Sequence, residues 1–113
     1  MSTLDHFRAY ARHAVHFGAV VRDGNGRRQG RLSNVGLGGA CVEVAGSSTQ
    51  IGTAVSVEVM APHLWDPLVI EARVAWRMPL EGGRRCRLGL CFEHRSGPVL
   101  RALLELLGSN LYE

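Results

Sequence analysis

Apolar residues occupy every second position of the stretch Leu68-Val69-Ile70-Glu71-Ala72-Arg73-Val74-Ala75-Trp76-Arg77. Because successive side chains of a β-strand point to opposite faces, this period of two predicts a strand with one buried face. The apolar set ends at Trp76, while Glu71, Arg73 and Arg77 lie on the opposite side. Shorter alternations recur at residues 15–22, 40–44, 55–60 and 86–92, and the polar segment 27–34 is expected as the strand that returns after the first turn. The sequence therefore predicts six strands, of which the polar segment 27–34 is expected near a sheet edge.

Clusters of turn-forming residues separate these segments. Asp23-Gly24-Asn25-Gly26 combines two dipeptides that are typical of β-hairpins. Further turns are expected at Gly46-Ser47-Ser48, Asp66-Pro67 and Glu81-Gly82-Gly83. After Ser96-Gly97-Pro98 the apolar residues fall at helical spacing instead: Val99, Leu100, Leu103, Leu104, Leu107 and Leu111. This change of period predicts a helix over 97–108.

These elements predict an all-β fold, a six-stranded antiparallel β-barrel with one C-terminal α-helix packed on it. Closing a sheet into a barrel removes its unpaired strand edges. A length of 113 residues with 46% hydrophobic residues fits one domain with a buried core. We divide the single domain 1–113 into an N-terminal segment 1–12, a barrel over 13–95 and the helix over 97–108.

The composition predicts a soluble cytoplasmic protein. No apolar run approaches the roughly 18 residues that a membrane-spanning helix needs, and the N-terminus lacks the apolar block of a secretion signal. The three cysteines, Cys41, Cys86 and Cys91, contain no CxxC pair. An odd number in this arrangement argues against a disulfide framework or a zinc site.

The positive charge is concentrated at the two ends of the chain. All 13 basic residues are arginine, and the formal net charge is +3. Residues 1–31 carry +4, residues 32–83 carry −3 and residues 84–113 carry +2. This uneven distribution favours a local anionic ligand over an extended nucleic-acid surface.

The sequence contains no constellation of catalytic or metal-binding residues. The serines lack the context of a nucleophile elbow, and no carboxylate pair is placed for acid–base catalysis. The spacing of His6, His13 and His16 matches no common zinc pattern. We therefore expect a binding protein rather than an enzyme, without a metal or cofactor.

Two segments are candidates for ligand binding. Arg8 and Arg12 are four residues apart, and their guanidinium groups could converge on one dianion or one guanine, since the planar fork matches both. Taken alone, such a pair is more often solvated. The second candidate, Asn34-Val35-Gly36-Leu37-Gly38-Gly39, would expose backbone amides beside a polar side chain, or would simply form a glycine-rich bend.

In their order and spacing these segments resemble the PilZ domain, a bacterial receptor domain for cyclic di-GMP. In that family an R-x-x-x-R motif precedes the first barrel strand, and a D/N-x-S-x-x-G motif follows about one hairpin later. Arg8 and Arg12 match the first motif, and Asn34 and Gly39 match the ends of the second. Gly36 stands where the family has serine.

The resemblance extends over roughly residues 6–107. Val74-Ala75-Trp76-Arg77 and Arg87-Leu88-Gly89-Leu90-Cys91-Phe92 are similar to the family's late strands, and a helix closes the family's C-terminus. A competing register, Arg31-Leu32-Ser33-Asn34-Val35-Gly36, restores the serine but puts Arg31 at the acidic position. We reject it because Gly39 leads directly into the alternating strand 40–44.

The resemblance implies a cyclic di-GMP receptor. Arg8 and Arg12 would neutralise phosphates and clasp one guanine, and Asn34 with the backbone around Gly36 and Gly39 would bind the other. Trp76 is either a stacking wall for a base or a core residue, because it shares the parity of Val74. Ligand binding would order residues 1–12 and display a new surface to a protein partner.

Two alternatives remain. A PilZ-like adaptor would bind protein partners in motility or pilus machinery, with weak or lost nucleotide binding, since glycine at position 36 removes one hydrogen-bonding hydroxyl. A small barrel that binds single-stranded nucleic acid is disfavoured by an aromatic content of 6% and the acidic middle of the chain.

Overall fold

Six antiparallel strands close into a barrel in the computed structural model of the chain. The structure describes residues 12–46, 49–60, 66–93, 97–98, 101–102 and 105. The strands are β1 (Arg12–Asp23), β2 (Gly26–Gly36), β3 (Gly39–Ala45), β4 (Ala54–Met60), β5 (Leu68–Leu80) and β6 (Arg85–Phe92). Their order around the barrel is β1-β2-β3-β6-β5-β4, and β4 pairs with β1 to complete the circle. The predicted six-stranded antiparallel barrel is confirmed.

The interior of the barrel is filled mostly by residues that the period of two identified, together with Leu32 and Val35 of β2. Leu32, Ile70, Leu88 and Leu90 have no exposed surface. Valine and alanine supply most of the remaining core, as suits the narrow interior of a six-stranded barrel. Burial of each of the larger side chains stabilises the fold by roughly 1.5–3 kcal/mol.

Strand β2 does not lie at an edge, contrary to the expectation for residues 27–34. It pairs with β1 on one side and with β3 on the other. Its polar character comes from the outer face, where Arg27, Gln29 and Arg31 are exposed to solvent. In a closed barrel the outer face is wet on every strand, so a polar strand need not be an edge strand.

The two ends of the chain are described only in part. Residues 97, 98, 101, 102 and 105 have helical backbone, and the helix over 97–108 as a whole stays a prediction. Arg8 and most of the predicted N-terminal segment lie outside the described residues.

A side-chain carboxylate organises the β1–β2 hairpin. The Asp23 carboxylate accepts a hydrogen bond from the Asn25 amide at 2.8 Å and another from the Thr49 hydroxyl at 2.8 Å. The hydrogen bond from Thr49 is the largest cause that lowers the pKa of Asp23, and the hydrogen bond from the Asn25 backbone amide is the next largest. The carboxylate therefore joins the hairpin to the segment that follows β3.

We predict that Asp23 contributes to stability in a pH-dependent way. Because its folded-state pKa lies below the ordinary value of 3.8, the contribution is present above that pH and is lost as the pH falls through the folded-state pKa. Between about pH 5 and about pH 2 the melting temperature of the wild type should fall more steeply than that of Asp23→Asn. Asp66→Asn, at an exposed loop position, is the control. Parallel curves for wild type and Asp23→Asn would contradict the prediction.

We also predict that Gly30 is required for close packing of β2 on β3. A Cβ at Gly30 would lie 2.8 Å from Val44 Cγ1 and closer still to the Glu43 carbonyl oxygen. Gly30→Ala should lower the free energy of unfolding by about 1–3 kcal/mol, measured by urea denaturation. A Cβ at Gly18 would meet only Met60 Cε at 4.0 Å, so Gly18→Ala should stay within about 0.5 kcal/mol of wild type. Equal loss in both variants would refute the prediction.

Candidate functional site

A row of directly paired residues crosses five strands of the barrel. Ala14 on β1 pairs with Asn34 on β2, and Asn34 pairs with Cys41 on β3. Cys41 pairs with Gly89 on β6, and Gly89 pairs with Trp76 on β5. With adjacent strands about 4.8 Å apart, the backbones at Asn34 and Trp76 are separated by roughly 14 Å along the sheet. We call Asn34, Cys41, Gly89 and Trp76 the cross-strand row.

The cross-strand row lies on the outer face of the barrel. Leu32 and Val35 both belong to the core, so the two residues between them, Ser33 and Asn34, lie on the outer side. The extra residue is accommodated by a bulge between Leu32 and Asn34. The Ser33 hydroxyl donates a hydrogen bond to the Cys41 carbonyl oxygen at 3.4 Å, which ties β2 to β3 at this point.

Trp76 is not a core residue. A bulge between Val74 and Trp76 interrupts the side-chain alternation of β5. Val74 therefore stays in the core, whereas Trp76 is half-buried and lies outside the core cluster. Its indole ring occupies the space directly above the backbone of Gly89. Of the two interpretations of Trp76 that its parity left open, the structure excludes the core residue.

Bulges accumulate around the cross-strand row. Besides those in β2 and β5, a third interrupts β1 between Ala14 and Phe17. Each bulge twists its strand and redirects side chains, and such irregularities are enriched beside binding sites. In this barrel the three bulges lie in β1, β2 and β5, next to the residues that these strands contribute to the row of paired residues.

The glycine corner between β2 and β3 lies next to the start of β1. The backbone of Arg12 begins β1, one residue before the predicted barrel boundary, and pairs with Gly36 at the end of β2. Gly39 begins β3, as the chosen register of the second motif requires. The Phe92 amide donates a hydrogen bond to the Gly38 carbonyl oxygen at 2.9 Å and fixes the corner against β6.

The register thus brings five of the six predicted site residues to one region. One end of this region contains the backbone of Arg12 together with Gly36 and Gly39. The cross-strand row contains Asn34 and Trp76. The sixth residue, Arg8, lies outside the described residues.

A second row, adjacent to the first, carries two arginines that sequence reasoning did not select, and a third arginine lies beside it. Arg31 pairs with Glu43, and Glu43 pairs with Arg87. The Glu43 carboxylate lies 3.8 Å from the Arg87 guanidinium and 3.9 Å from that of Arg85. Both distances are long for an ion pair, and the single negative charge of Glu43 offsets only part of the positive charge of Arg31, Arg85 and Arg87, so a net positive charge remains.

Arg31 and Arg85 border a shallow groove of about 390 Å³. It is lined by Gln29, Gly30, Arg31, Glu43, Ala45 and Arg85. The Nε atom of Arg87 is buried without a hydrogen-bond partner. The outer face therefore combines an aromatic ring with an adjacent positive field, which suits a planar anionic ligand.

The described part of the chain contains no group of three or more histidine, cysteine, aspartate or glutamate residues that could hold a metal ion. None of its helices is long and apolar enough to cross a membrane.

One protein-family profile matches most of the chain. The sequence profile of the PilZ domain family matches residues 6–109. No curated protein matches the chain. Among solved structures, the inhibitor of motility MotI/DgrA from Bacillus subtilis superposes with a TM-score of 0.72 at 20% identity, over 94% of this chain and 52% of MotI.

Two further structures contain cyclic di-GMP. The PilZ domain of YcgR from Escherichia coli has a TM-score of 0.73 at 20% identity, over 90% of this chain and 89% of that domain. The MrkH complex from K. pneumoniae has a TM-score of 0.73 at 14% identity, over 93% of this chain and 52% of MrkH. The chain thus spans about half the length of MotI and MrkH. These structural likenesses establish the shared fold, and because the family profile covers nearly the whole sequence, the chain belongs to the PilZ domain family.

Proposed function

We propose that this chain is a receptor domain for cyclic di-GMP that acts by recognition rather than catalysis. The observation that carries the proposal is the cross-strand row, which joins Asn34 to an outward-facing Trp76 beside the start of β1 at Arg12. The presence of cyclic di-GMP in the structures of the YcgR and MrkH relatives supports the choice of ligand.

The proposed contacts divide the ligand between the two motifs. Arg8 and Arg12 bind its phosphates and clasp one guanine, because a guanidinium fork matches phosphate oxygens and the O6/N7 edge equally well. Asn34 and the backbone amides around Gly36 and Gly39 bind the other guanine. The pairing of Arg12 with Gly36 supports this division, since it puts the two motifs on neighbouring strands.

Trp76 provides a wall against which a base stacks. A half-buried indole on an outer face offers a π-surface without leaving the barrel, and such stacking contributes about 1–3 kcal/mol per base. The net positive charge of the adjacent arginine row would attract the dianionic ligand to this face.

Signalling would depend on the N-terminal segment, which the bound ligand would order. Ligand contacts made by Arg8 and Arg12 would order residues 1–12 and create a surface for a protein partner. We further propose that the domain acts in the cytoplasm and that residues 97–108 form the helix that closes the barrel.

A second candidate function is that of an adaptor for protein partners with weak nucleotide binding. The observation that favours it is Gly36, which lacks the hydroxyl of the family's serine. The similarity to MotI, an inhibitor of motility, makes motility machinery a reasonable place to seek a partner.

Titration calorimetry with cyclic di-GMP tests the receptor function. Loss of a charge-assisted hydrogen bond costs about 1.5–3 kcal/mol, so Arg12→Ala should weaken binding by roughly 10- to 100-fold. Arg27→Ala is a matched control, because it removes the same charge from an exposed position beside the β1–β2 hairpin. It should change the affinity less than about twofold.

The two candidate functions predict different results in this experiment. If the wild-type protein produces no heat at high micromolar nucleotide, the adaptor function replaces the receptor. If both arginine variants bind as wild type does, the ligand binds elsewhere and the assignment of the first motif is wrong.

Restoring the family's serine tests the second motif. Gly36→Ser should tighten binding several-fold, because the serine hydroxyl adds one hydrogen bond to the ligand, which contributes ~1 kcal/mol. Gly18→Ser, at an exposed strand position, is the control and should leave the affinity unchanged. Urea denaturation of both variants reports any loss of folding. Unchanged or weaker binding by a fully folded Gly36→Ser protein would count against our alignment of this motif.

A further inference from the structure

The indole ring of Trp76 lies directly against the backbone of β6 at Gly89. A Cβ at this position would lie 2.6 Å from Trp76 Cδ1 and closer still to Nε1 and Cε2. Real Cβ atoms essentially never make a non-bonded contact shorter than 3.0 Å with a heavy atom of a distant residue. The five-membered part of the indole thus fills the space in which any other residue would begin its side chain.

The position of Gly89 in its strand makes this contact informative. Leu88 and Leu90 point into the core, so Gly89 faces outward, between Arg87 and Cys91 on the same face. Glycine weakens a strand relative to alanine, since it restricts the unfolded chain less and packs no side chain. A glycine at the centre of a barrel strand therefore indicates close approach of another group, and that group is Trp76.

Two features together define the position of the ring. The bulge before Trp76 turns the side chain outward, and the bare backbone of Gly89 lets the indole rest directly on β6. With any larger residue at position 89, the ring would have to move by roughly 1.5–2 Å to reach an ordinary contact distance of 3.5–4.0 Å. Such a displacement changes both the height and the tilt of the ring.

We propose that Gly89 is a positioning residue for the ligand site, because its missing side chain sets the height and orientation of the Trp76 ring. The expected effect of Gly89 on affinity rests on the proposed binding of cyclic di-GMP. Its expected effect on the position of the Trp76 ring is independent of that proposal. Holding an aromatic wall in place before binding lowers the entropy cost of association.

The ligand-free protein tests the position of the ring. In a Trp65→Phe background, Trp76 is the single tryptophan, since the chain contains two. Gly89→Ala should shift its emission to the red and increase its quenching by acrylamide, because the displaced ring is more exposed to water. Gly18→Ala, which adds a methyl group that meets only Met60 Cε at 4.0 Å, should change neither. Identical emission and quenching in Gly89→Ala and its parent would overturn the proposal.

A double-mutant cycle with cyclic di-GMP tests the effect on binding. Gly89→Ala should weaken binding about five- to tenfold when Trp76 is present, which is part of the value of one stacked base. In a Trp76→Ala background it should change the affinity less than about twofold. An equal loss in both backgrounds would mean that Gly89 acts on the strand and not through the ring. If no variant binds the nucleotide, the proposed function fails, and the emission experiment still decides the role of Gly89.

Failure to fold is also informative. If Gly89→Ala does not fold but the Gly89→Ala/Trp76→Ala double variant does, the added methyl group clashes with the indole, as proposed. If both fail to fold, the strand itself requires glycine and the proposal is wrong.

Discussion

Closure of the barrel is the constraint on which the rest of the structure depends. Each of the six strands is paired on both sides, so every backbone must keep its register with two neighbours at once. Every second residue is then forced into a narrow interior, which valine, leucine and alanine fill. Side chains that bind a ligand have only the outer face left, and there a strand can redirect a side chain only by inserting a residue. The three bulges around the cross-strand row are the result.

The same closure explains how residues distant in sequence form one surface. Strand β6 lies between β3 and β5, which places Gly89 between Cys41 and Trp76. The neighbouring row joins Arg31, Glu43 and Arg87 in the same way. Strands β2, β3 and β6 therefore contribute residues both to the cross-strand row and to the neighbouring, positively charged row. The backbones of the two rows lie about 7 Å apart on β3 and β6, since two residues along a strand span that distance, and this is less than a Debye length.

Residue patterns predicted the barrel better than they predicted the site. Alternation identified the strands because burial of every second residue leaves a mark in the sequence. The bulge at Ala75 leaves no such mark, so parity alone could not decide whether Trp76 faced the core. Gly89 was the signal that could have decided it, because a glycine facing outward within an apolar strand indicates close approach of another group. The pairing of Arg31 with Glu43 depends on cross-strand register, which no local pattern contains.

The position of the site also favours recognition over catalysis. Catalytic sites gain much of their power by excluding water and fixing charges in a medium of low dielectric constant. The cross-strand row lies on the outside of a barrel whose interior is filled with aliphatic side chains, and its neighbouring groove is open to solvent. On such a face stacking and ion pairing remain effective, because they need contact rather than enclosure. A ligand bound there would stay exposed on its outer side.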